Sequence, residues 1–151
     1  MELQFTSATE ADRPWCARVM ASTEPWITLG RDYEACLARL HRPELEAIVA
    51  RRGGEAVGFI LLHPTGVAGS PYIASVAAAE EARGTGVGTA LVRFAEARYP
   101  DARHMFLCVS SFNTGARRLY ERLGYRQAGE LPDYVIEGAS EILMHKRLVR
   151  G

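Results

Sequence analysis

The segment Arg83-Gly84-Thr85-Gly86-Val87-Gly88 decides how this chain is read. It leads into Gly88 to Tyr99, where Val87, Leu91, Phe94 and Ala95 recur at helical spacing, so three glycines stand where a helix begins. Pro100 stops that helix. Glycines let backbone N–H groups approach a ligand closely, and the free N–H groups and dipole of a helix start favour negative charge. Arg83 could add a charge-assisted hydrogen bond. A P-loop would require Lys and then Ser or Thr after the last glycine, but Thr89 and Ala90 follow Gly88. A dinucleotide fingerprint would place its third glycine at position 89 and start directly after a strand, whereas Ala77 to Ala82 intervene. On these residues alone, a tight turn without a ligand stays open.

Downstream, Met105 to Val109 is a continuous apolar run that predicts a strand buried on both faces, reached from the helix by a parallel β-α-β crossover. A second unit follows. Asn113 is placed to cap a helix carrying Ala116, Leu119, Tyr120 and Leu123, and Gly124 supplies its left-handed stop. Tyr125 to Ala128 and Ser140 to Leu148 read as closing strands around a loop with Pro132 and Gly138. Upstream, Leu3 to Thr6 alternates as a strand, and Thr9 can cap a helix that ends near Ser22. Asp32 to His41 predicts a second helix, and Arg52-Gly53-Gly54-Glu55 a hairpin turn between strands Glu46 to Arg51 and Ala56 to Leu62. The stretch from His63 to Pro71 reads as a loop before the strand Tyr72 to Val76. No repeat or linker divides residues 1–151, which read as one domain.

Eighteen basic residues balance eighteen acidic ones, so no overall field draws the chain to nucleic acid or to an anionic membrane. No apolar stretch is long enough to span a bilayer. Cys16, Cys36 and Cys108 are odd in number and lack metal-ligand spacing, which predicts reduced thiols and no metal site. The residues after Met1 carry no basic segment followed by a long apolar one, so the expected location is cytoplasmic.

With both units in view, the chain resembles the GNAT superfamily of acyl-CoA-dependent N-acetyltransferases. That family's phosphate loop has the form Arg or Gln, two residues, Gly, one residue, Gly or Ala, which Arg83, Gly86 and Gly88 match. Its next segment has Asn, a small residue, and Leu-Tyr on a helix ending in Gly and an aromatic; here these are Asn113, Ala116, Leu119, Tyr120, Gly124 and Tyr125. The resemblance is strong from Tyr72 to Tyr125 and weak over the first 45 residues. It implies an α/β (α+β) fold: a mixed, mostly antiparallel central sheet with a splayed parallel strand pair and helices on both faces.

The resemblance also implies roles. The diphosphate of acetyl-CoA would rest on Arg83, Gly84, Thr85, Gly86, Val87 and Gly88, with Thr89 near the helix start. The pantetheine arm would lie between the splayed strands, against Val76 and Ala77, with Asn113 and Ala116 nearby. Tyr120 matches the family tyrosine that hydrogen-bonds the coenzyme sulfur, although its position also fits a packing stripe, and Asn113 fits a plain helix cap equally well. Many relatives place a glutamate on a splayed strand; Tyr72 to Val76 has no acid, and the matching place on the other strand is Cys108, which argues against acetylation of ribosomal-protein N-termini. Glu80 and Glu81 read as solvated, and His63 as either a surface residue or one reaching the acceptor cleft. Acceptor contacts would come from Trp26, Tyr33, Tyr134 and Glu137, unless the aromatics belong to the core.

The leading expectation is therefore an N-acetyltransferase that moves an acetyl group from acetyl-CoA to a primary amine of a small molecule, peptide or protein by direct attack in a ternary complex, as a monomer or homodimer. Its alternative is a catalytically weak CoA-binding sensing module of the same fold. Neutral charge and the lack of an aromatic-basic stripe disfavour nucleic-acid binding.

Overall fold

In the computed structural model, which describes residues 2–149, one seven-stranded sheet carries helices on both faces. The elements are β1 (Leu3–Ser7), α1 (Asp12–Ala21), α2 (Tyr33–Leu40), β2 (Glu46–Arg52), β3 (Glu55–Val67), β4 (Ser70–Ala78), α3 (Val87–Arg98), β5 (His104–Ser110), α4 (Thr114–Arg122), β6 (Arg126–Pro132) and β7 (Ser140–Arg147). The spatial order is β1-β2-β3-β4-β5-β7-β6. Every neighbouring pair is antiparallel except β4 with β5. Alternation along β2 and β3 splits the core. Ile48, Ala50, Ile60 and Leu62 face Val87, Leu91 and Ala95 of α3, while Val49, Phe59 and Leu61 face Cys16, Met20, Cys36 and Leu40 of α1 and α2.

Local signals act as the sequence suggests at several ends. Thr9 and Asp12 form a reciprocal cap: the Thr9 N–H donates to Asp12 Oδ2 at 2.9 Å, and the Asp12 N–H to Thr9 Oγ1 at 3.2 Å. Asp32 caps α2 by accepting from the Ala35 N–H at 2.9 Å. Gly53 and Gly54, with φ of 61° and 84°, make the β2–β3 hairpin turn.

Three expectations are corrected. His63 to Pro71 is not a loop: β3 continues to Val67, and Ala68-Gly69 (φ 49° and 84°) makes a two-residue turn into β4. Pro64 is tolerated because β2 pairs only as far as Leu62, so a missing N–H there leaves no β2 carbonyl unsatisfied. β5 is not buried on both faces: Met105, Leu107 and Val109 are buried, while Phe106 and Cys108 are only half covered. Asn113 sits at the start of α4, but its side chain makes no capping bond.

One irregularity shapes the site. Leu62 pairs with Ile73 and Leu61 with Ser75, which leaves Ala74 as the extra residue of a β-bulge. Bulges bend a strand, and the pairing of β4 with β5 is confined to Tyr72↔Phe106 and Ile73↔Leu107, directly before it. Beyond Ile73, the side of β4 that faces β5 has no strand partner.

Gly58 on β3 lets α3 approach the sheet. A Cβ at that position would lie 2.7 Å from Val87 Cγ1 and 2.9 Å from the Ala77 carbonyl oxygen, and the latter is backbone. Gly58→Ala is therefore expected to destabilise the fold by about 1–3 kcal/mol, as overpacking does. Urea denaturation would check this; an unchanged midpoint would contradict the close approach.

Candidate active site

The turn before α3 is an array of backbone donors. Gly84 and Gly86 adopt left-handed conformations, with φ of 78° and 88°, which a non-glycine residue holds only with strain. No side chain caps α3. The first backbone bond of the helix runs from the Ala90 N–H to the Gly86 carbonyl. Among the described residues, the N–H groups of Gly84, Gly86, Val87, Gly88 and Thr89 consequently have no hydrogen-bond partner. Alternating left- and right-handed residues that leave successive N–H groups free make an anion-binding concavity. A Cβ at Gly84 or Gly86 would meet nothing within 4 Å, so conformation rather than crowding by the protein calls for glycine there.

This turn opens onto a cavity of about 1190 Å³. Its lining includes Arg83, Gly84, Gly86, Val87, Gly88 and Thr89 at one end, Val76 and Ala77 on the part of β4 that β5 does not reach, and Asn113, Ala116 and Tyr120. The volume exceeds the roughly 300–1,000 Å³ that holds one drug-sized ligand. Thr85 departs from the group: its hydroxyl donates to the Ala82 carbonyl and accepts from Arg52, outside the cavity lining. Arg83 donates to Thr23 Oγ1 at 2.9 Å, linking the turn to the segment after α1.

Tyr120 is 8% exposed, and its ring packs edge-on against Tyr125 with centroids 6.4 Å apart. Its hydroxyl has no hydrogen-bond partner among the described residues, yet it is not sealed from solvent. Burial pushes its pKa up to about 12, so it stays a phenol and can donate. Packing and an exposed donor thus coexist at this position.

Beyond the splay, the cavity is walled by Trp26, Arg39, Tyr72, Cys108, Tyr134 and Glu141. Arg39 reaches from α2 to the bulge, where Nε donates to Ser75 Oγ at 2.9 Å and Nη2 to the Ala74 carbonyl at 2.8 Å. Burial lowers its pKa. Tyr72 and Cys108 both line the cavity at the splay, and burial raises the pKa of both. Glu141 on β7 lies opposite Ser110 on β5 and accepts a hydrogen bond from its hydroxyl at 2.6 Å. Neither Arg39 nor Glu141 stands out in the sequence; only the β5–β7 register brings that acid beside Cys108.

Two expected acceptor residues lie elsewhere. Tyr33 packs with the core between α2 and the sheet, as helix aromatics commonly do. Glu137 borders a separate shallow recess with Thr28 and Phe112, because its loop folds back over the turn after β5. His63 also stays outside the cavity lining, its Nδ1 accepting from the Thr65 N–H at 3.2 Å. Glu80 and Glu81 are exposed in a one-turn helix before the glycine turn.

A left-handed glycine turn at a helix start, beside a splayed parallel pair, is the arrangement that the resemblance implied. The sequence profile of the acetyltransferase (GNAT) family matches residues 8–125. The chain belongs to that family. An uncharacterized N-acetyltransferase of Methanocaldococcus jannaschii is 39% identical over 102 residues, 66% of this chain and 64% of that protein's length. Among solved GNAT-fold structures, Ard1 of Thermoplasma volcanium superposes with a TM-score of 0.80 at 24% identity, covering 99% of this chain and 100% of that one. An aminoglycoside 6'-N-acetyltransferase complexed with coenzyme A superposes at 0.78 with 18% identity, covering 100% and 99%. These likenesses establish the GNAT fold. Among the described residues, no helix is long and apolar enough to cross a membrane, and no cluster of three His, Cys, Asp or Glu is placed to hold a metal ion.

Proposed function

We propose that this protein is an N-acetyltransferase that carries an acetyl group from acetyl-CoA to a primary amine by direct attack in a ternary complex. The observation that carries this reading is the run of five unpaired N–H groups at Gly84 to Thr89, opening onto a cavity that leads past Tyr120 to Glu141. Acetyl-CoA supplies an activated acyl group held by a diphosphate handle. The coenzyme complex of the aminoglycoside acetyltransferase, which has the same fold, agrees with that choice of ligand.

The N–H groups of the turn bind the diphosphate, and the partnerless side of β4 around Val76 and Ala77 pairs with the pantetheine amides as an added strand would. Amide donors of β4 beyond the bulge face the acetyl carbonyl and stabilise the oxyanion as the amine nitrogen attacks the carbonyl carbon. Glu141 takes the proton that the nitrogen loses, directly or through one water. Tyr120 donates its phenolic proton to the sulfur as the carbon–sulfur bond breaks, so that CoA leaves as a thiol whose ordinary pKa is about 8.5. The Glu141 carboxylate in the cavity supports turnover over a non-catalytic sensing role.

Release of free thiol from acetyl-CoA should require an amine acceptor and yield the N-acetylated product by mass spectrometry. Coenzyme binding without any acceptor-dependent thiol release across amino acids, peptides, polyamines and aminoglycosides would overturn the reading. Glu141→Gln keeps the shape and the Ser110 contact but cannot take the proton. Its kcat should fall about a hundredfold with little change in the KM for acetyl-CoA. An unchanged kcat would remove Glu141 from the mechanism.

A further inference from the structure

Arg39 is a half-buried guanidinium held by two neutral acceptors. Its Nε and Nη2 are spent on Ser75 Oγ and the Ala74 carbonyl, while Nη1 has no partner among the described residues. Among the described residues, no carboxylate pairs with it. The arginines near enough to be felt by it, Arg31 and Arg42, bring more positive charge to the same wall. Arg42 is paired with Glu44 at 2.7 Å, whereas the exposed Arg31 side chain has no bond among the described residues. Glu24, also on this wall, is turned onto Thr28, accepting from its N–H at 2.9 Å and its hydroxyl at 2.6 Å. A charge withdrawn from water without a counter-ion is unfavourable unless a ligand supplies one.

The other side of the wall is acidic. Arg39, Tyr72 and Glu141 line the same cavity: Arg39 is held at the bulge of β4, and the Ser110↔Glu141 register sets the carboxylate on the β5 side of the splay. Resting on the acetyltransfer reading, we propose that the acceptor is a primary amine that bears a carboxylate, of the amino-acid class: Arg39 receives the carboxylate while Glu141 receives the amine. The two bonds that pin Arg39 to β4 fix its guanidinium in advance, leaving Nη1 to meet the acid. Acceptors with further positive charge, such as polyamines, are repelled by Arg31 and Arg39.

The test compares each free amino acid with its α-amide, which keeps the amine and removes the negative charge; because amidation also makes the ammonium group more acidic, rates are compared per concentration of neutral amine. The wild-type protein should prefer the acid by about tenfold or more in kcat/KM, and Arg39→Gln should abolish that preference by cutting turnover of the acid about 10- to 100-fold more than that of the amide. An unchanged Kd for CoA in the variant shows that the fold is kept. Should Arg39→Gln not fold, exposed Arg31→Gln should narrow the same preference by about two- to fivefold. Amides accepted as well as acids, or spermidine accepted better than either, overturns the proposal.

Short peptides beginning with Asp or Glu form a separate arm: turnover of these but not of free amino acids keeps the carboxylate contact and assigns it to an acidic N-terminal residue. Calorimetric titration of the CoA-bound protein with the acid and amide pairs reads the contact without turnover. Acid-selective binding with no product would retain this inference while refuting acetyltransfer, and equal turnover of both would do the reverse.

Discussion

Replacing Gly86 by glutamate is expected to weaken CoA binding about a hundredfold or more, read as Kd by calorimetry. Two effects add. Gly86 holds φ at 88°, where an L-residue costs about 1–2 kcal/mol. The glutamate would also set a negative charge at the start of α3, where the diphosphate is proposed to bind, and a further 1.4 kcal/mol or so of repulsion completes the hundredfold. Gly86→Ala separates the terms: nothing within 4 Å opposes its methyl group, so only the conformational part, about tenfold, should remain. Equal affinities for wild type and the glutamate variant would place the coenzyme elsewhere.

Tyr120→Phe should lower kcat about 10²- to 10⁴-fold, the range for a positioned proton donor, while leaving the Kd of acetyl-CoA and the folded stability nearly unchanged. The ring remains to pack against Tyr125, and the removed hydroxyl bonds no described residue. The pH dependence has a definite sign. With its pKa raised to about 12 from the ordinary value near 10, Tyr120 stays protonated through neutral and mildly alkaline solution. Loss of its proton therefore does not limit kcat below about pH 11, and any alkaline fall between pH 8 and 10 must belong to another group. The folded state holds this proton more tightly than the unfolded one, so its contribution to stability is complete below about pH 10 and is lost as pH rises toward 12. A kcat within about threefold of wild type would reduce Tyr120 to a packing residue.

The parts of this molecule legible in sequence were those coded locally. The glycines before α3, the apolar stripe of α4 ending at left-handed Gly124, the Thr9 hydrogen bonds ahead of α1 and the Gly53-Gly54 hairpin each depend on residues a few positions apart, and the structure shows each one. Features made by pairing distant segments were not legible. The bulge at Ala74 exists only in the register of β3 against β4, and no residue type announces it. Glu141 reads as one more acid at the start of a strand until β7 pairs with β5 and Ser110 binds it. Arg39 reads as a solvated charge in the last turn of α2, but that turn faces the sheet where the bulge exposes a carbonyl. Tyr33 and Glu137 fall outside the cavity lining, because an aromatic beside a helix and an acid in a late loop carry no information about which side of the sheet they reach.

The bulge, the splay and the glycine turn act together: the first ends the β4–β5 ladder, the second opens the cavity, and the third supplies its anion-binding end. A crystal grown with excess CoA tests that arrangement most directly. Diphosphate oxygens are expected about 2.7–3.2 Å from the backbone nitrogens of Gly84, Gly86, Val87, Gly88 and Thr89, with the pantetheine arm alongside Val76. A diphosphate bound anywhere else, with those five N–H groups facing only water, would contradict it.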